Sequence, residues 1–267
     1  MTATMPGMER HALTSDRQRV HYELSGAGDT ALVFVHGWLG NAGWWSAQRD
    51  AFADRYTIVQ LDLPGHGRSD KTRTAWSAAQ YADDIQAVCD ELAARDIILV
   101  GHSMSGAYVC EAAPRIANTK AVILIDTLKN LDQQMPPEQV AQILALYRSD
   151  FRGAVENVLP QHLFSADTPA EVRARIQRDF LAADPQLAVA IIEPLYRIDL
   201  RETARRVTVP VRAINADFSP TNLDANRQYF RDYAYETVAR SGHYPMLERP
   251  DEFNAALDRV LAQLPSR

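Results

Sequence analysis

Ser103 stands where an apolar run stops. The segment Ile97-Ile98-Leu99-Val100-Gly101-His102-Ser103-Met104-Ser105-Gly106 reads as a buried strand, a tight turn and the start of a helix. Such a turn strains its central residue and closes only if the positions two before and two after are small. Gly101 and Ser105 meet that demand, although strict G-x-S-x-G would put glycine at 105, and here Gly106 follows it. The turn lifts a hydroxyl clear of the sheet at a helix N-terminus, where backbone N–H groups face developing negative charge. That suits a nucleophile in acyl transfer, with the Met104 amide as one oxyanion donor. Gly-His-Ser alone also fits a plain capped turn, and the flanking strand and helix favour the nucleophile.

A serine nucleophile needs a base whose second nitrogen is held by a carboxylate. His243 sits in Arg240-Ser241-Gly242-His243-Tyr244-Pro245-Met246-Leu247-Glu248, a glycine-marked loop between an expected strand and the last helix. Two carboxylates could orient it. Asp217 lies in Asn215-Ala216-Asp217-Phe218-Ser219-Pro220, in a turn opening a helix, whereas Asp126 follows the strand that ends at Ile125. Both satisfy the order serine, acid, histidine. Loop type favours Asp217, with Asp126 as the alternative, whose plain reading is a strand-end carboxylate bonded to its own turn.

A second oxyanion donor is expected from the loop after Leu32-Val33-Phe34-Val35-His36-Gly37-Trp38, at the amide of Trp38. His36 would orient that loop and border the substrate pocket rather than transfer protons. Trp38 is the tryptophan expected to reach substrate, while Trp44 and Trp45 read as core. In Leu61-Asp62-Leu63-Pro64-Gly65-His66-Gly67-Arg68-Ser69, Asp62 and His66 are expected to stabilise the turn through local hydrogen bonds.

The elements that must position these residues follow a βαβ rhythm. Short apolar runs at 31–35, 56–61, 97–100, 121–125, 209–214 and 235–238 alternate with amphipathic stretches at 44–54, 77–95, 105–113, 220–230 and 250–264. The piece 19–24 suits an antiparallel edge hairpin, so the sheet is expected to be mixed. Between about 136 and 200 no strand is evident, only helical stretches broken at Pro160, Pro169, Pro185 and Pro194. One catalytic domain is expected, its core at 1–130 and 201–267, with a helical cap inserted at 131–200.

Bulk composition limits the function classes. With 46% hydrophobic and 23% charged residues, the chain is that of an ordinary globular protein. Twenty-eight basic against 34 acidic residues leave a net charge of -6, which offers no footprint for nucleic acid or an anionic membrane. A small-molecule substrate is the expected partner. Neither charge nor pattern separates a monomer from a homodimer. Cys89 and Cys110 fall in expected helices without C-x-x-C spacing, which fits a reduced, cytoplasmic setting. The first eleven residues contain Glu9 and Arg10 and no apolar run of signal length, and no stretch of about eighteen apolar residues occurs.

Taken together, His36-Gly37-Trp38, 62–69, 101–106, Asn215-Ala216-Asp217 and 242–250 resemble the α/β-hydrolase superfamily from about residue 19 to 264. The resemblance implies an eight-stranded, mostly parallel sheet flanked by helices, a cap between the sixth and seventh strands, a triad of Ser103, Asp217 and His243, and no cofactor or metal. Superfamily members that are dehalogenases or epoxide hydrolases generally carry aspartate at the elbow, whereas serine esterases, lactonases, C–C hydrolases and haloperoxidase-like members keep serine. The expectation is a carboxylic-ester hydrolase working through an acyl-enzyme, with a small to medium apolar pocket lined by Trp38, Met104 and cap residues such as Leu146, Phe151 or Phe164. Two alternatives stand beside it: a cofactor-independent lyase or dioxygenase with His243 as base, and a non-catalytic receptor for a small ligand.

Overall fold

A computed structural model describes residues 7–265. Residues 1–6, part of the N-terminal segment read for a signal, lie outside the described residues. Eight strands form one sheet: β1 (Met8–Leu13), β2 (Arg19–Ser25), β3 (Thr30–Val35), β4 (Thr57–Leu61), β5 (Asp96–His102), β6 (Thr119–Ile125), β7 (Val211–Ala216) and β8 (Tyr233–Val238). Their order across the sheet is β1-β2-β4-β3-β5-β6-β7-β8. From β4 to β8 every neighbouring pair is parallel, and β2 runs antiparallel to both β1 and β4. The expected eight-stranded, mostly parallel α/β-hydrolase sheet is therefore present. β1, which the sequence reading left unassigned, is an exposed edge whose pairing with β2 carries little apolar pattern.

The central strands are buried on both faces, which is why β3, β5 and β6 read as continuous apolar runs instead of alternating ones. Helices α1 (Ser46–Phe52), α2 (Ala78–Asp90) and α3 (Ser105–Ala112) follow β3, β4 and β5. Between β6 and β7 the described elements are all helical: α4 (Pro137–Ser149), α5 (Phe151–Gly153), a π-turn at Ala154–Val158, α6 (Leu159–Leu163), α7 (Ala170–Leu181), α8 (Pro185–Ile192), a short 3₁₀ turn at Leu195–Arg197 and α9 (Leu200–Arg206). Proline sits at the start of α4, α6 and α8, where its missing N–H costs nothing. The chain closes with α10 (Leu223–Tyr229), α11 (Pro245–Glu248) and α12 (Pro250–Ala262).

Cys89 in α2 and Cys110 in α3 are free, buried thiols, and burial raises the pKa of both. Among the described residues no helix is long and apolar enough to cross a membrane.

Candidate active site

The elbow begins with β5 and β6. Gly101 and His102 pair in register with Leu124 and Ile125, and the Ser103 amide donates to the Ile125 carbonyl at 3.1 Å. Ser103 then turns into the left-handed region, φ 54°, at a typical cost of about 1–3 kcal/mol that its surroundings must offset. A Cβ on Gly101 would lie 2.6 Å from the Ser105 carbonyl oxygen and from Val109, so only glycine lets strand and helix approach. Ser105 is buried, and its hydroxyl donates to the His36 carbonyl. The residue that breaks the G-x-S-x-G pattern thus ties the elbow to the loop after β3.

That loop is pinned from several sides. The His36 ring is fully buried, with Nε2 accepting from the Leu63 amide at 3.0 Å and Nδ1 donating to the Gly37 carbonyl at 2.7 Å. Burial lowers its pKa, and the ring serves as a neutral strut. Asp62, almost wholly buried, accepts from the Ala42 amide at 2.6 Å and the Arg68 amide at 2.9 Å, with His21 Nδ1 at 3.0 Å. Burial alone would raise the Asp62 pKa, but these donors hold it well below the usual carboxylate range. Asp62 therefore reaches beyond its own turn and fastens the loop after β3. His66 does act locally, its Nδ1 lying 3.2 Å from the Pro64 carbonyl oxygen.

His243 Nε2 lies 2.8 Å from Ser103 Oγ. His243 Nδ1 lies 2.7 Å from Asp126 Oδ2. The carboxylate facing the imidazole is therefore that of Asp126, and the assignment of Asp217 is corrected. Asp217 is exposed and accepts from the Arg240 amide at 3.0 Å, closing the turn after β8. The reason lies in strand adjacency. β6 lies directly beside β5, so the residue after Ile125 emerges next to Ser103, whereas β7 is one strand farther away. Asp126 takes φ 45°, turning its side chain back over the strand ends. What β7 contributes is an amide, Ala216 N–H donating to Asp126 Oδ1 at 2.8 Å. The sequence signal for Asp126 was its place one residue beyond the buried strand that follows the elbow helix.

Two further residues escaped the sequence reading. Lys129 Nζ lies 2.6 Å from Asp126 Oδ1 and also donates to the Ala216 carbonyl at 3.1 Å and Ser219 Oγ at 3.0 Å. Burial favours protonated Asp126, yet hydrogen bonding to His243 and the charge of Lys129 prevail and hold its pKa at about 2. Glu248 is buried and accepts from the Gly242 amide at 2.7 Å, the Tyr244 amide at 3.0 Å and the Thr168 hydroxyl at 2.6 Å. It clamps the two residues flanking His243. The His243 amide itself donates to the Leu163 carbonyl of α6 at 2.8 Å, and His102 Nε2 donates to the His243 carbonyl at 2.8 Å. Burial, with the neighbouring His243 second, lowers the His102 pKa to about 3, so this strut is neutral.

Above Ser103 lies a chamber of about 120 Å³. Its floor is His102, Ser103, His243 and Tyr244, Trp38 forms one wall, and Tyr147, Leu159, Leu163, Phe180, Ile192 and Tyr196 come from the helices between β6 and β7. Trp38 was expected here; His36, Leu146, Phe151 and Phe164 do not line it. His36 lies beneath the loop, as above. In α4 the inward residues are Val140, Leu144 and Tyr147, so the 3.6-residue period turns Leu146 aside. Phe151 meets the Trp38 ring edge-on at 6.2 Å, and Phe164 packs against Tyr244 at 6.1 Å, each supporting a wall residue from outside. Trp38 is fixed by its indole N–H, which donates to the Ala188 carbonyl at 3.0 Å, and by stacking on Tyr147 at 5.3 Å. Among the described residues no group of three or more His, Cys, Asp or Glu could hold a metal ion.

The alpha/beta hydrolase family pattern matches residues 32–256, which span both the elbow and the His243 loop. The chain belongs to that family. A pimeloyl-[acyl-carrier protein] methyl ester esterase of Nitrosospira multiformis is 25% identical over 245 residues, covering 85% of this chain and 93% of that relative. A second similarity is local: the dihydrolipoyllysine-residue acetyltransferase component of the acetoin cleaving system of Cupriavidus necator is 38% identical over 98 residues, 37% of this chain, and the match spans about a quarter (26%) of that relative. Among solved structures, a thermophilic esterase from Thermogutta terrifontis, with malate bound, superposes with a TM-score of 0.82 at 22% identity, covering 96% of this chain and 98% of the other. At that identity the superposition speaks to the fold of this family member.

Proposed function

We propose that the protein is a carboxylic-ester hydrolase acting through an acyl-enzyme on Ser103. The observation that carries this reading is the continuous chain from Ser103 Oγ through His243 Nε2 and Nδ1 to Asp126, with separations of 2.8 and 2.7 Å. A histidine bridging a hydroxyl and a buried carboxylate can take the hydroxyl proton at Nε2 while the carboxylate fixes the tautomer and stabilises the imidazolium. The near full-length similarity to a methyl ester esterase supports the same substrate class.

In the proposed reaction Ser103 Oγ attacks the ester carbonyl carbon as its proton passes to His243 Nε2. The carbonyl oxygen becomes an oxyanion held by the amides of Trp38 and Met104. His243 then returns the proton to the alkoxide, the alcohol departs, and the acyl group remains on Ser103. Water attacks that acyl group with His243 again accepting a proton, the acid leaves, and the proton returns to Oγ. The helices between β6 and β7 act as a cap, and their apolar side chains exclude bulk water from the reacting bond.

The test is hydrolysis of p-nitrophenyl acetate together with labelling by a fluorophosphonate. Wild type should turn over the ester and be labelled at Ser103, and Ser103→Ala should retain its fold while losing roughly three to six orders of magnitude in kcat. Turnover that survives Ser103→Ala would overturn the reading in favour of proton abstraction by His243.

A further inference from the structure

The chamber over Ser103 and the space outside it differ in size and chemistry. At about 120 Å³ the chamber is well below the ~300–1,000 Å³ of a pocket for a drug-sized ligand. Its walls are aromatic and aliphatic. A groove of about 890 Å³ lies between the loop after β6, the Leu195–Arg197 turn and the loop after β7. Tyr196 is a wall of both spaces, and Lys129, the partner of Asp126, lines the groove.

We propose that this groove is the leaving-group site, and that the substrates are short-chain acyl esters of a large, neutral, hydroxyl-rich alcohol. The inference rests on the hydrolase reading given above. Direction comes from the topology. The loop after β3, which carries Trp38, lies on one side of β5, and the loops after β6 and β7, which form the groove, lie on the other. With oxyanion donors at Trp38 and Met104, the acyl carbonyl faces the β3 side. The leaving oxygen must take its proton from His243 Nε2, and His243 is held by Asp126 on the β6 side. The alcohol therefore departs towards β6 and β7.

The chemical class comes from the lining. The charges on the groove wall are largely spent within the protein: Lys129 on Asp126, Arg197 on Glu193 and Asp199 on Arg201. Asn130, Thr221 and Asn222 each spend an acceptor within the protein, on the Asp132 amide, the Asn215 side-chain amide and the Ala225 amide, which leaves their N–H and O–H donors, with the Gln133 and Gln134 amides, to meet a neutral polar group. Asp224 on the same wall disfavours an anionic alcohol. The small chamber admits an acyl group of only a few carbons.

The experiment uses the full chain, pH-stat assays, ethyl esters from acetate to decanoate, and a monoacetylated disaccharide. Activity should fall steeply beyond four acyl carbons. kcat/KM for the acetylated disaccharide should exceed that for ethyl acetate by about tenfold or more, the worth of one or two net hydrogen bonds. Gln133→Trp and Gln134→Trp, both at exposed positions lining the groove, should erase that advantage while the urea-unfolding midpoint stays at the wild-type value, which reports that the variants are folded. Ethyl acetate cleavage with no preference for the disaccharide ester, indifference to both tryptophans, or a preference for decanoate would overturn the groove assignment alone. Failure of wild type to cleave any ester would overturn the hydrolase reading and the groove with it.

Discussion

Lys129 Nζ sits 2.6 Å from Asp126 Oδ1, the carboxylate oxygen that His243 does not use. The carboxylate is therefore shared between an imidazole, a half-buried ammonium and the Ala216 amide. Removing one partner from a buried ion pair leaves the other charge uncompensated, typically at a cost of about 3–5 kcal/mol. Ala216 N–H and His243 remain to Asp126, so Lys129→Met should cost about 2–3 kcal/mol in urea unfolding. The Asp126 carboxyl should then titrate above its present value of about 2, a change that carbon NMR of the side chain would follow. An unchanged titration midpoint would contradict the coupling.

Asp126 and Asp217 can be separated directly. Asp126→Asn places an amide against His243 Nδ1 and should lower kcat on p-nitrophenyl acetate by about 10³–10⁴-fold, the scale seen when a triad acid is amidated. Asp217→Asn removes only an exposed acceptor for the Arg240 amide and should stay within about twofold of wild type, since exposed sites of this kind are worth little. A large loss in the second variant with a small one in the first would reverse the assignment.

The depressed pKa of Asp126 also has a stability consequence. Its folded value of about 2 lies below its unfolded value of 3.8, so the charged form is favoured by folding. That contribution is full above the unfolded pKa and is lost as pH falls through about 2. The stability difference between wild type and Asp126→Asn should therefore shrink by on the order of 1–2 kcal/mol between pH 7 and pH 2, as measured by urea unfolding.

Glu248 acts on the base through its loop. Glu248→Ala leaves the Gly242 and Tyr244 amides without their buried acceptor, at about 1–3 kcal/mol for each. A stability loss of about 3 kcal/mol and at least a tenfold fall in kcat are expected, because His243 lies between those two amides. Thr168→Val removes one hydroxyl donor to the same carboxylate and should cost only about 1 kcal/mol.

Gly37 tests the close approach of the loop after β3 to the elbow. A Cβ there would stand 2.6 Å from His102 Nδ1 and 3.0 Å from the Ser103 Cβ. Gly37→Ala should displace the elbow or the loop and lower kcat by about 10²-fold or more, with a smaller effect on KM for a small ester. The kcat and KM values for p-nitrophenyl acetate check this.

By itself the sequence determined the parts that depend on local chemistry. The apolar runs that became β3, β5 and β6, the small residues around Ser103 and the glycine-marked loop bearing His243 are local patterns, because strand burial, tight turns and helix starts constrain residues near one another in the chain. Tertiary structure alone decided which carboxylate meets His243, because adjacency in a parallel sheet does not follow chain order: β6 borders β5 and carries Asp126 to Ser103, while β7 delivers only the Ala216 amide. The same holds for Lys129, Glu248 and the walls of the chamber. Their partners lie up to 150 residues away in sequence, as between the Trp38 indole and the Ala188 carbonyl, and no pattern along the chain encodes which side chains converge after helices and strands have packed.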